Sequence, residues 1–185
     1  MTISDIISAA KTKFPERFCF WLNFICEAEA TIGQDGNILR EDDHDGAGIT
    51  FCGLTQRDDQ LPDHPTPQWV ADKYHDGYWA ESRADLLPKG VGEEVANIAV
   101  NEGLGTAFKI LQESINALGV HINVDGKIGS QTEDAAFKED AHQLAIKISE
   151  YNDQHYKDIA DRRPDLRNNL RGWLNRDQQM VKTFA

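Results

Sequence analysis

Glu29 is the residue of this 185-residue chain whose position best suits acid–base chemistry. In helical spacing it follows Leu22, Ile25 and Cys26 by seven, four and three residues, so it ends an apolar stripe. A carboxyl group at the end of such a stripe is partly desolvated, and desolvation gives a carboxyl the raised pKa of a general acid. Glu27, on the neighbouring stripe, is the alternative candidate, and a solvated glutamate at a helix end is the ordinary interpretation of either.

A glycine-rich loop, residues 45–55, supplies the second set of candidates. Its small residues let the backbone approach a ligand or a facing helix closely. Such close packing would hold Asp45 and Thr50 in fixed positions. A calcium-binding EF-hand is excluded, because with Gly46 at the required glycine Cys52 stands where a bidentate glutamate belongs. A plain turn remains the alternative interpretation.

Four aromatic residues, Trp69, Tyr74, Tyr78 and Trp79, could stack on sugar rings or on bases, although core packing is the stronger expectation for Trp79. The six histidines show no ligand spacing, and His-x-x-x-His does not occur. We therefore predict no metal site and no cofactor. The chain also has no Gly-x-Ser-x-Gly and no phosphate-binding glycine-rich loop.

Helices must position these residues, since the apolar period is mostly helical and strand signals are few. The pattern predicts a helix over about 16–29, followed near residues 31–55 by a long loop or a small hairpin. Thr66-Pro67 is typical of the start of a helix. Gly103 is expected to divide the apolar pattern of 91–118 into two helices.

The C-terminal part is also predicted to be helical. A capping box over 130–133 opens a helix that we expect to run to about Ala160. Before it, residues 120–128 are predicted to be extended, with a turn at Asp125-Gly126. A last helix carries Leu166, Leu170, Trp173 and Leu174. The predicted fold class is therefore mainly α.

Composition excludes several classes of protein. With 19 basic against 31 acidic residues the net charge is −12, which disfavours nucleic acid and anionic membranes as partners. No run of 18 or more apolar residues occurs, so we expect no membrane-spanning segment, and from the pattern of the first residues we expect no secretory signal. Cys19 and Cys26 would lie about 10 Å apart on a helix, too far for a disulfide. We expect these two and Cys52 to be free, buried thiols made in a reducing compartment.

Short motifs occur in one order along the chain. After the helix that ends at Glu29 comes a loop with a spaced pattern of Asp, Gly and Thr. A Tyr-Trp pair, an Asn-x-x-x-Asn-x-Gly segment and a Leu-Gln pair follow. The residues of these four motifs are Asp45, Gly48, Thr50, Gly53 and Thr55; Tyr78 and Trp79; Asn97, Asn101 and Gly103; and Leu111 and Gln112.

Two further motifs follow in the C-terminal part. They are Asp-Gly-x-x-Gly-x-x-Thr, from Asp125 to Thr132, and Gly-Trp-x-x-Arg, from Gly172 to Arg176. In this order and spacing the chain resembles glycoside hydrolase family 108, the phage and bacterial N-acetylmuramidases, together with the peptidoglycan-binding segment that accompanies them.

The resemblance implies a lysozyme-like helical fold and hydrolysis of the β-1,4 bond between N-acetylmuramic acid and N-acetylglucosamine. It places the family's catalytic glutamate on Glu29, with Asp45 as a second carboxylate and Thr50 orienting water or a carboxylate. The glycan strand of peptidoglycan is then the expected partner. The residues expected to contact it are Tyr74, Tyr78, Trp79 and Asn101.

The resemblance also sets the expected organisation. We expect a monomer with one compact domain over 1–185, a muramidase-like segment over 16–105 and a helical peptidoglycan-binding-like segment over 106–180. Synthesis in the cytoplasm without a signal peptide and action at the periplasmic cell wall after release are implied as well.

The chain departs from the family pattern at several places. Glu-Gly-Gly has become Glu29-Ala30-Thr31, the family's Asp is Asn97, and an Arg expected in the late helix corresponds to Asn152. These departures favour a second hypothesis, a muramidase fold that binds peptidoglycan or a protein partner without cleaving it. A third hypothesis, an intracellular interaction or counter-defence protein that reuses the fold, rests only on the acidic surface and the missing signal peptide.

Overall fold

A computed structural model of the chain describes residues 1–42 and 48–185. The described residues are mainly helical, which confirms the predicted fold class. They divide into two compact units, Met1–Gly77 and Tyr78–Ala185. This division does not coincide with the predicted segment boundary at 105/106, and the predicted segments remain predictions. Across the part of the chain that the structure describes, none of the helices combines the length and apolar character that crossing a membrane requires.

The first unit combines helices with a small sheet. Thr2 begins the first helix with a capping box, because its hydroxyl accepts the Asp5 N–H while the Asp5 carboxylate accepts the Thr2 N–H. Thr66 caps the fourth helix by accepting the Trp69 N–H, as the Thr66-Pro67 signal predicted. The helices are α1 (Ile3–Ala10), α2 (Glu16–Glu29), α3 (Gln56–Asp59) and α4 (Pro67–Tyr74), and a π-helical turn (His75–Trp79) follows α4.

A hairpin, one of the two alternatives predicted near residues 31–55, is present as part of a three-stranded antiparallel sheet. Its strands are β1 (Arg40–Asp42), β2 (Ile49–Phe51) and β3 (Leu54–Thr55), in the order β1-β2-β3. Cys52 and Gly53 form the two-residue turn between β2 and β3, with φ of 50° and 75°. Positive φ at both central positions is the conformation that matches the twist of a tight hairpin.

The second unit is built from helices that pack around an apolar core. The core includes Val91, Val95 and Ile98 from one helix and Leu111 and Ile115 from the next. Gly103 separates these two helices with a φ of 79°, so the predicted break is confirmed. The helices are α5 (Val91–Glu102), α6 (Leu104–Leu118), α7 (Ser130–Ala136), α8 (Ala141–Arg162) and α9 (Leu170–Phe184), and short 3₁₀ turns span Ala84–Leu86 and Pro164–Asn169.

The prediction of one helix from Ser130 to about Ala160 is wrong. Helix α7 ends at Ala136, and α8 begins only at Ala141. The break has a local cause, because the Asp140 carboxylate accepts the N–H of Gln143 and so caps a new helix. The predicted capping box is absent as well, since Gly129 occupies the N-cap position of α7.

Candidate functional site

Glu29 is the last residue of α2, and its side chain is half-buried. The apolar stripe that leads to it is fully buried, with Leu22, Ile25 and Cys26 all at 0% exposure. The Ala30 N–H still donates to the Cys26 carbonyl, so the helical hydrogen bonds continue to the end of this stripe. The helix therefore holds the Glu29 carboxyl at the edge of the core, where part of it remains accessible.

The β2–β3 turn packs directly against Glu29. A methyl group at Gly53 would lie 2.9 Å from Glu29 Cβ and 2.8 Å from the Tyr74 hydroxyl oxygen. That hydroxyl donates a hydrogen bond of 2.7 Å to the Cys52 carbonyl, and Tyr74 is 1% exposed. The positive φ and the close approach both require glycine at position 53. Tyr74 thus holds the turn in place from the protein interior. Because it is almost fully buried, it does not line an open groove.

Thr50 lies in β2, three residues before Gly53, and is half-buried. It pairs with Thr55 across the hairpin, and Thr55 caps α3 by accepting the Asp58 N–H at 3.0 Å. The strand that carries Thr50 therefore leads into the turn on Glu29. Asp45, the predicted second carboxylate, lies outside the described residues.

Glu27, the alternative to Glu29, is exposed. Its carboxylate accepts a hydrogen bond of 2.8 Å from the Asn23 side chain, one helical turn earlier. Two residues along a helix turn a side chain by roughly 200°, so Glu27 projects from a different side of α2 from Glu29. The geometry therefore distinguishes the two candidates: Glu29 lies beside the turn, and Glu27 lies on the exposed side of the helix.

The remaining predicted residues lie in the second unit. Tyr78 is half-buried, whereas Trp79 is 0% exposed and packs in the interior, as its core interpretation expected. The Asn101 side chain donates to the Tyr156 hydroxyl at 3.1 Å and accepts from Arg176 at 3.2 Å. Arg176 also donates to Asn97 at 2.9 Å, so one guanidinium joins two asparagines that lie one turn apart on α5. Asn101 therefore belongs to a polar network between helices.

Two acids in this unit were not among the predicted site residues. Asp177 is 1% exposed and accepts hydrogen bonds from the Ser149 hydroxyl at 2.6 Å and the Asn152 amide at 2.8 Å. Burial raises the pKa of Asp177 to about 6. Glu94 is 0% exposed, and burial, followed by the nearby negative charge of Asp177, raises the pKa of Glu94 well above its ordinary value. Among the residues that the structure describes, neither carboxyl oxygen of Glu94 has a hydrogen-bond partner.

The sequence does contain a signal for Glu94. It follows Val91 by three residues and precedes Ile98 by four, so it lies on the apolar stripe of α5. Glu29 shows the same relation to an apolar stripe in α2. Asp177 has a weaker signal, since it only follows Arg176 of the Gly-Trp-x-x-Arg motif, and its burial depends on how α9 packs on α8.

Gln112 joins the Leu-Gln motif to the Asp-Gly-x-x-Gly-x-x-Thr motif. Its side-chain oxygen accepts the N–H groups of Asp125 and Gly126, at 3.1 and 2.9 Å. Its amide nitrogen donates to the Asp125 carboxylate and the Lys127 carbonyl, both at 2.9 Å, and lies 3.4 Å from the Thr132 hydroxyl. Gln112 therefore holds the Asp-Gly turn in place through these hydrogen bonds.

Comparison with known proteins gives two findings. Residues 106–178, which include Gln112 and Arg176, match the family model described as a predicted peptidoglycan domain. The solved structure titled "Structure of Brucella abortus SagA" is similar to this chain, with a TM-score of 0.71 and 21% sequence identity over 90% of this chain and 92% of that chain. No curated protein matches the chain. The family match associates the C-terminal segment with peptidoglycan and hence with the cell wall, and the structural likeness shows the fold.

Proposed function

We propose that this protein is a peptidoglycan hydrolase, an N-acetylmuramidase that cleaves the β-1,4 bond between N-acetylmuramic acid and N-acetylglucosamine. One observation carries the proposal: the glutamate selected by its stripe and by the family resemblance ends α2 directly against the Gly53 turn, which belongs to the matching loop motif. The association of residues 106–178 with peptidoglycan supports the substrate class. The protein would act at the cell wall after release from the cytoplasm.

In the proposed reaction Glu29 is the general acid. Its protonated carboxyl donates a proton to the leaving glycosidic oxygen as the C–O bond breaks and positive charge develops on the sugar ring. Asp45 is proposed to activate water or to stabilise that charge, and Thr50 to orient the water or the carboxylate. A separation of about 6.5–9.5 Å between the two carboxyl groups would give inversion, and one of about 5 Å would give retention.

Contacts with the glycan are proposed for the more accessible residues. Tyr78 is half-buried and is proposed to stack on a sugar, whereas Tyr74 is proposed to act through the turn that it holds against Glu29. Asn101 has its hydrogen-bonding groups engaged with Tyr156 and Arg176. Its proposed contribution is therefore to keep the surrounding helices in place.

The test compares wild type with Glu29→Gln and Glu27→Gln on purified peptidoglycan. Turbidity and released reducing ends measure hydrolysis, and borohydride reduction of the products identifies the new reducing sugar. We expect Glu29→Gln to lose activity by a factor of about 10²–10⁴, because the amide cannot donate the proton, while Glu27→Gln keeps it. The new reducing end should be muramic acid.

Other outcomes have definite meanings. Full activity of Glu29→Gln would contradict the catalytic assignment, and loss in Glu27→Gln alone would move it by two residues. N-acetylglucosamine at the new reducing end would assign the protein to a different bond of the same polymer.

A second candidate function is peptidoglycan binding without cleavage. It is favoured by the match of the C-terminal segment to a predicted peptidoglycan domain and by the change from Glu-Gly-Gly to Glu29-Ala30-Thr31. Co-sedimentation with insoluble peptidoglycan, with no muropeptides released by wild type over prolonged incubation, would establish this function in place of the first. Failure to sediment with any cell-wall polymer would instead favour the hypothesis that the protein is an interaction protein that reuses the fold.

A further inference from the structure

A cavity of about 370 Å³ lies beside α4 and the π-helical turn that follows it. Its volume is within the range of small-ligand sites. The residues that line it recur every three or four positions, which places them on one side of this helical segment. They define the α4 cavity and are Trp69, Asp72, Lys73, Asp76 and Gly77. None of them is among the residues proposed to act on the glycosidic bond, and all belong to the first unit.

Two carboxylates of the α4 cavity each keep one oxygen atom for a ligand. The Asp72 carboxylate accepts hydrogen bonds from Lys13 at 2.9 Å and from Gln68 at 2.7 Å, and both bonds go to Oδ1. The His75 ring nitrogen Nδ1 lies 2.7 Å from Oδ1 of Asp76. Among the residues that the structure describes, no hydrogen bond reaches Oδ2 of either carboxylate. Two negatively charged acceptors of this kind suit an ammonium group.

Lys73 contributes the opposite charge to the cavity. Its ammonium nitrogen lies 5.5 Å from the centre of the Trp69 ring, within the range of a cation–π contact. Within residues 1–42 and 48–185, no ion pair with a carboxylate involves Lys73. Its charge is therefore available to a ligand carboxylate, and the half-buried indole offers an apolar surface beside it. A methyl group on Gly77 would meet no atom within 4 Å, in agreement with open space there.

We propose that the α4 cavity binds the free end of a diamino acid, where an ammonium group and a carboxylate are attached to the same carbon atom. Peptidoglycan presents this group wherever a diaminopimelate residue of its stem peptide is not cross-linked. Asp72 and Asp76 accept from the ammonium group, and Lys73 pairs with the carboxylate. Trp69 contacts the aliphatic chain. This inference rests on the peptidoglycan association of the proposed function and names the part of that polymer that the cavity recognises.

The mixed charge of the lining favours this ligand over a neutral sugar. A sugar hydroxyl can bond to a carboxylate or to an ammonium group, but it neutralises neither charge. A simple amine would leave Lys73 unpaired, and a simple dicarboxylic acid would meet the carboxylates of Asp72 and Asp76. A ligand that carries both charges on neighbouring atoms complements all three side chains at once.

The experiment measures the binding of three synthetic stem tripeptides to the full chain. Each begins with N-acetyl-L-alanine and γ-linked D-glutamate, and the third residue is meso-diaminopimelate, the same residue acetylated on its side-chain amine, or L-lysine. The acetylated peptide lacks the ammonium group, and the lysine peptide lacks the side-chain carboxylate. Titration of the isotope-labelled chain followed by nuclear magnetic resonance gives each Kd and identifies the backbone amides whose signals shift.

We expect wild type to bind the diaminopimelate peptide about fivefold more tightly than either of the other two at low ionic strength, because an exposed ion pair contributes a factor of this size. The shifted amides should lie in α4 and the π-helical turn. Lys73→Gln should lose the preference over the lysine peptide and keep the preference over the acetylated peptide.

Asp76→Asn should give the reverse result: a weaker preference over the acetylated peptide and an unchanged preference over the lysine peptide. Lys11→Gln and Asp63→Asn are matched controls, because they remove the same charges at exposed positions that do not line the cavity. Both controls should keep both preferences. Circular dichroism of each variant checks that its fold is retained.

Several outcomes would overturn the inference. They are no measurable binding by wild type, equal binding of the three peptides, and shifts confined to residues outside α4 and the π-helical turn. Tighter binding of chitotriose in the cavity would also overturn it and would assign the cavity to the glycan.

The peptides contain no glycosidic bond, so this result is independent of hydrolysis. A wild-type protein that binds them selectively but cleaves no peptidoglycan would contradict the proposed hydrolase and support this inference. A wild-type protein that cleaves peptidoglycan but shows no selectivity among the peptides would support the hydrolase and overturn this inference.

Discussion

Glu29 and Glu94 lie on similar apolar stripes, one in each unit, yet the fold places them in different environments. Glu29 ends α2 and keeps part of its side chain accessible, whereas Glu94 lies inside α5 and is fully buried. A carboxyl group that meets a polymeric substrate must be reachable, and one enclosed by helices is not. Position along the helix therefore separates a candidate catalytic acid from a buried structural acid when the stripe alone does not.

The region around Glu29 and the region around Asp177 are each stabilised by a different kind of interaction. The Glu29 region depends on a close steric contact, in which the Gly53 turn packs on the helix. The region around Asp177 depends on hydrogen bonds between buried side chains from α8 and α9. The first should therefore be sensitive to added volume, and the second to the protonation of its acids.

Gly53→Ala should have the largest effect on stability. The new methyl group would collide with Glu29 and Tyr74. The alanine would also have to adopt the positive φ of 75° that the glycine has at this position. Left-handed strain and overpacking together predict a loss of about 4 kcal/mol in the free energy of unfolding. Urea unfolding monitored by tryptophan fluorescence measures the loss. If the proposed peptidoglycan hydrolysis depends on Glu29, it should fall as well, because the turn is displaced from Glu29.

Gly36→Ala is the matched control for this variant. Gly36 has a similar φ of 79°, but a methyl group there would have no atom within 4 Å. It should cost only the strain, about 1–2 kcal/mol. Equal losses in the two variants would show that the turn does not press on Glu29.

Asp177→Asn should weaken the pH dependence of the stability of the second unit. The pKa of Asp177 in the folded state is about 6, above its value in an unfolded chain, so the folded state binds the proton more tightly. This contribution is complete at pH values below the unfolded pKa and is lost as the pH rises through about 6. Two pKa units correspond to about 3 kcal/mol.

The measurement is the free energy of unfolding between about pH 4 and pH 8, with hydrogen exchange of α9 peptides to localise the change. Glu94 contributes in the same direction, because its pKa is also raised. Asp161→Asn, which changes a largely exposed carboxyl on α8, should keep the wild-type profile. A wild-type stability that rises over this range would contradict the prediction.

Local signals in the sequence were sufficient to predict several elements. The helix over 16–29 and the break at Gly103 have the predicted bounds, because an apolar period and a glycine with positive φ act locally. The prediction of one continuous helix from Ser130 to about Ala160 was wrong, because Asp140 caps a new helix within this range. An acidic residue inside a polar segment is ambiguous until the neighbouring backbone is known.

The candidate site was predictable to a similar degree. The stripe and the loop motif selected Glu29 and the segment of Gly53, which the structure brings into contact. Glu94 carries the same sequence pattern, since it lies between Val91 and Ile98 on the apolar stripe of α5. Asp177 could not be found in this way, because its burial comes from the packing of α9 on α8, and α9 is mostly polar in sequence.

Gln112→Leu tests whether buried polar groups hold the C-terminal motifs together. Leucine is of similar size but cannot accept the Asp125 and Gly126 N–H groups or donate to the Lys127 carbonyl. We expect a loss of about 2–3 kcal/mol in the free energy of unfolding, since the loop groups are partly able to bond to water. Gln131→Leu, at an exposed position of α7, is the control and should be nearly neutral. A small change in the free energy of unfolding for Gln112→Leu would indicate that the Asp-Gly turn forms without the hydrogen bonds from Gln112.

Arg176→Lys should have the smallest effect, and it separates charge from geometry in the second unit. The guanidinium donates to Asn97 and Asn101 from two different nitrogen atoms, at 2.9 and 3.2 Å. An ammonium group keeps the charge but presents one nitrogen, so it can keep one of these bonds at the original geometry. Loss of one bond predicts a decrease of about 1 kcal/mol in the free energy of unfolding, with little change at the exposed Arg171→Lys control on the same helix. Because the charge near Glu94 and Asp177 is preserved, the pH profile should keep its shape. A profile that shifts in Arg176→Lys would instead show that the position of this cation, and not only the burial of the two acids, sets their protonation.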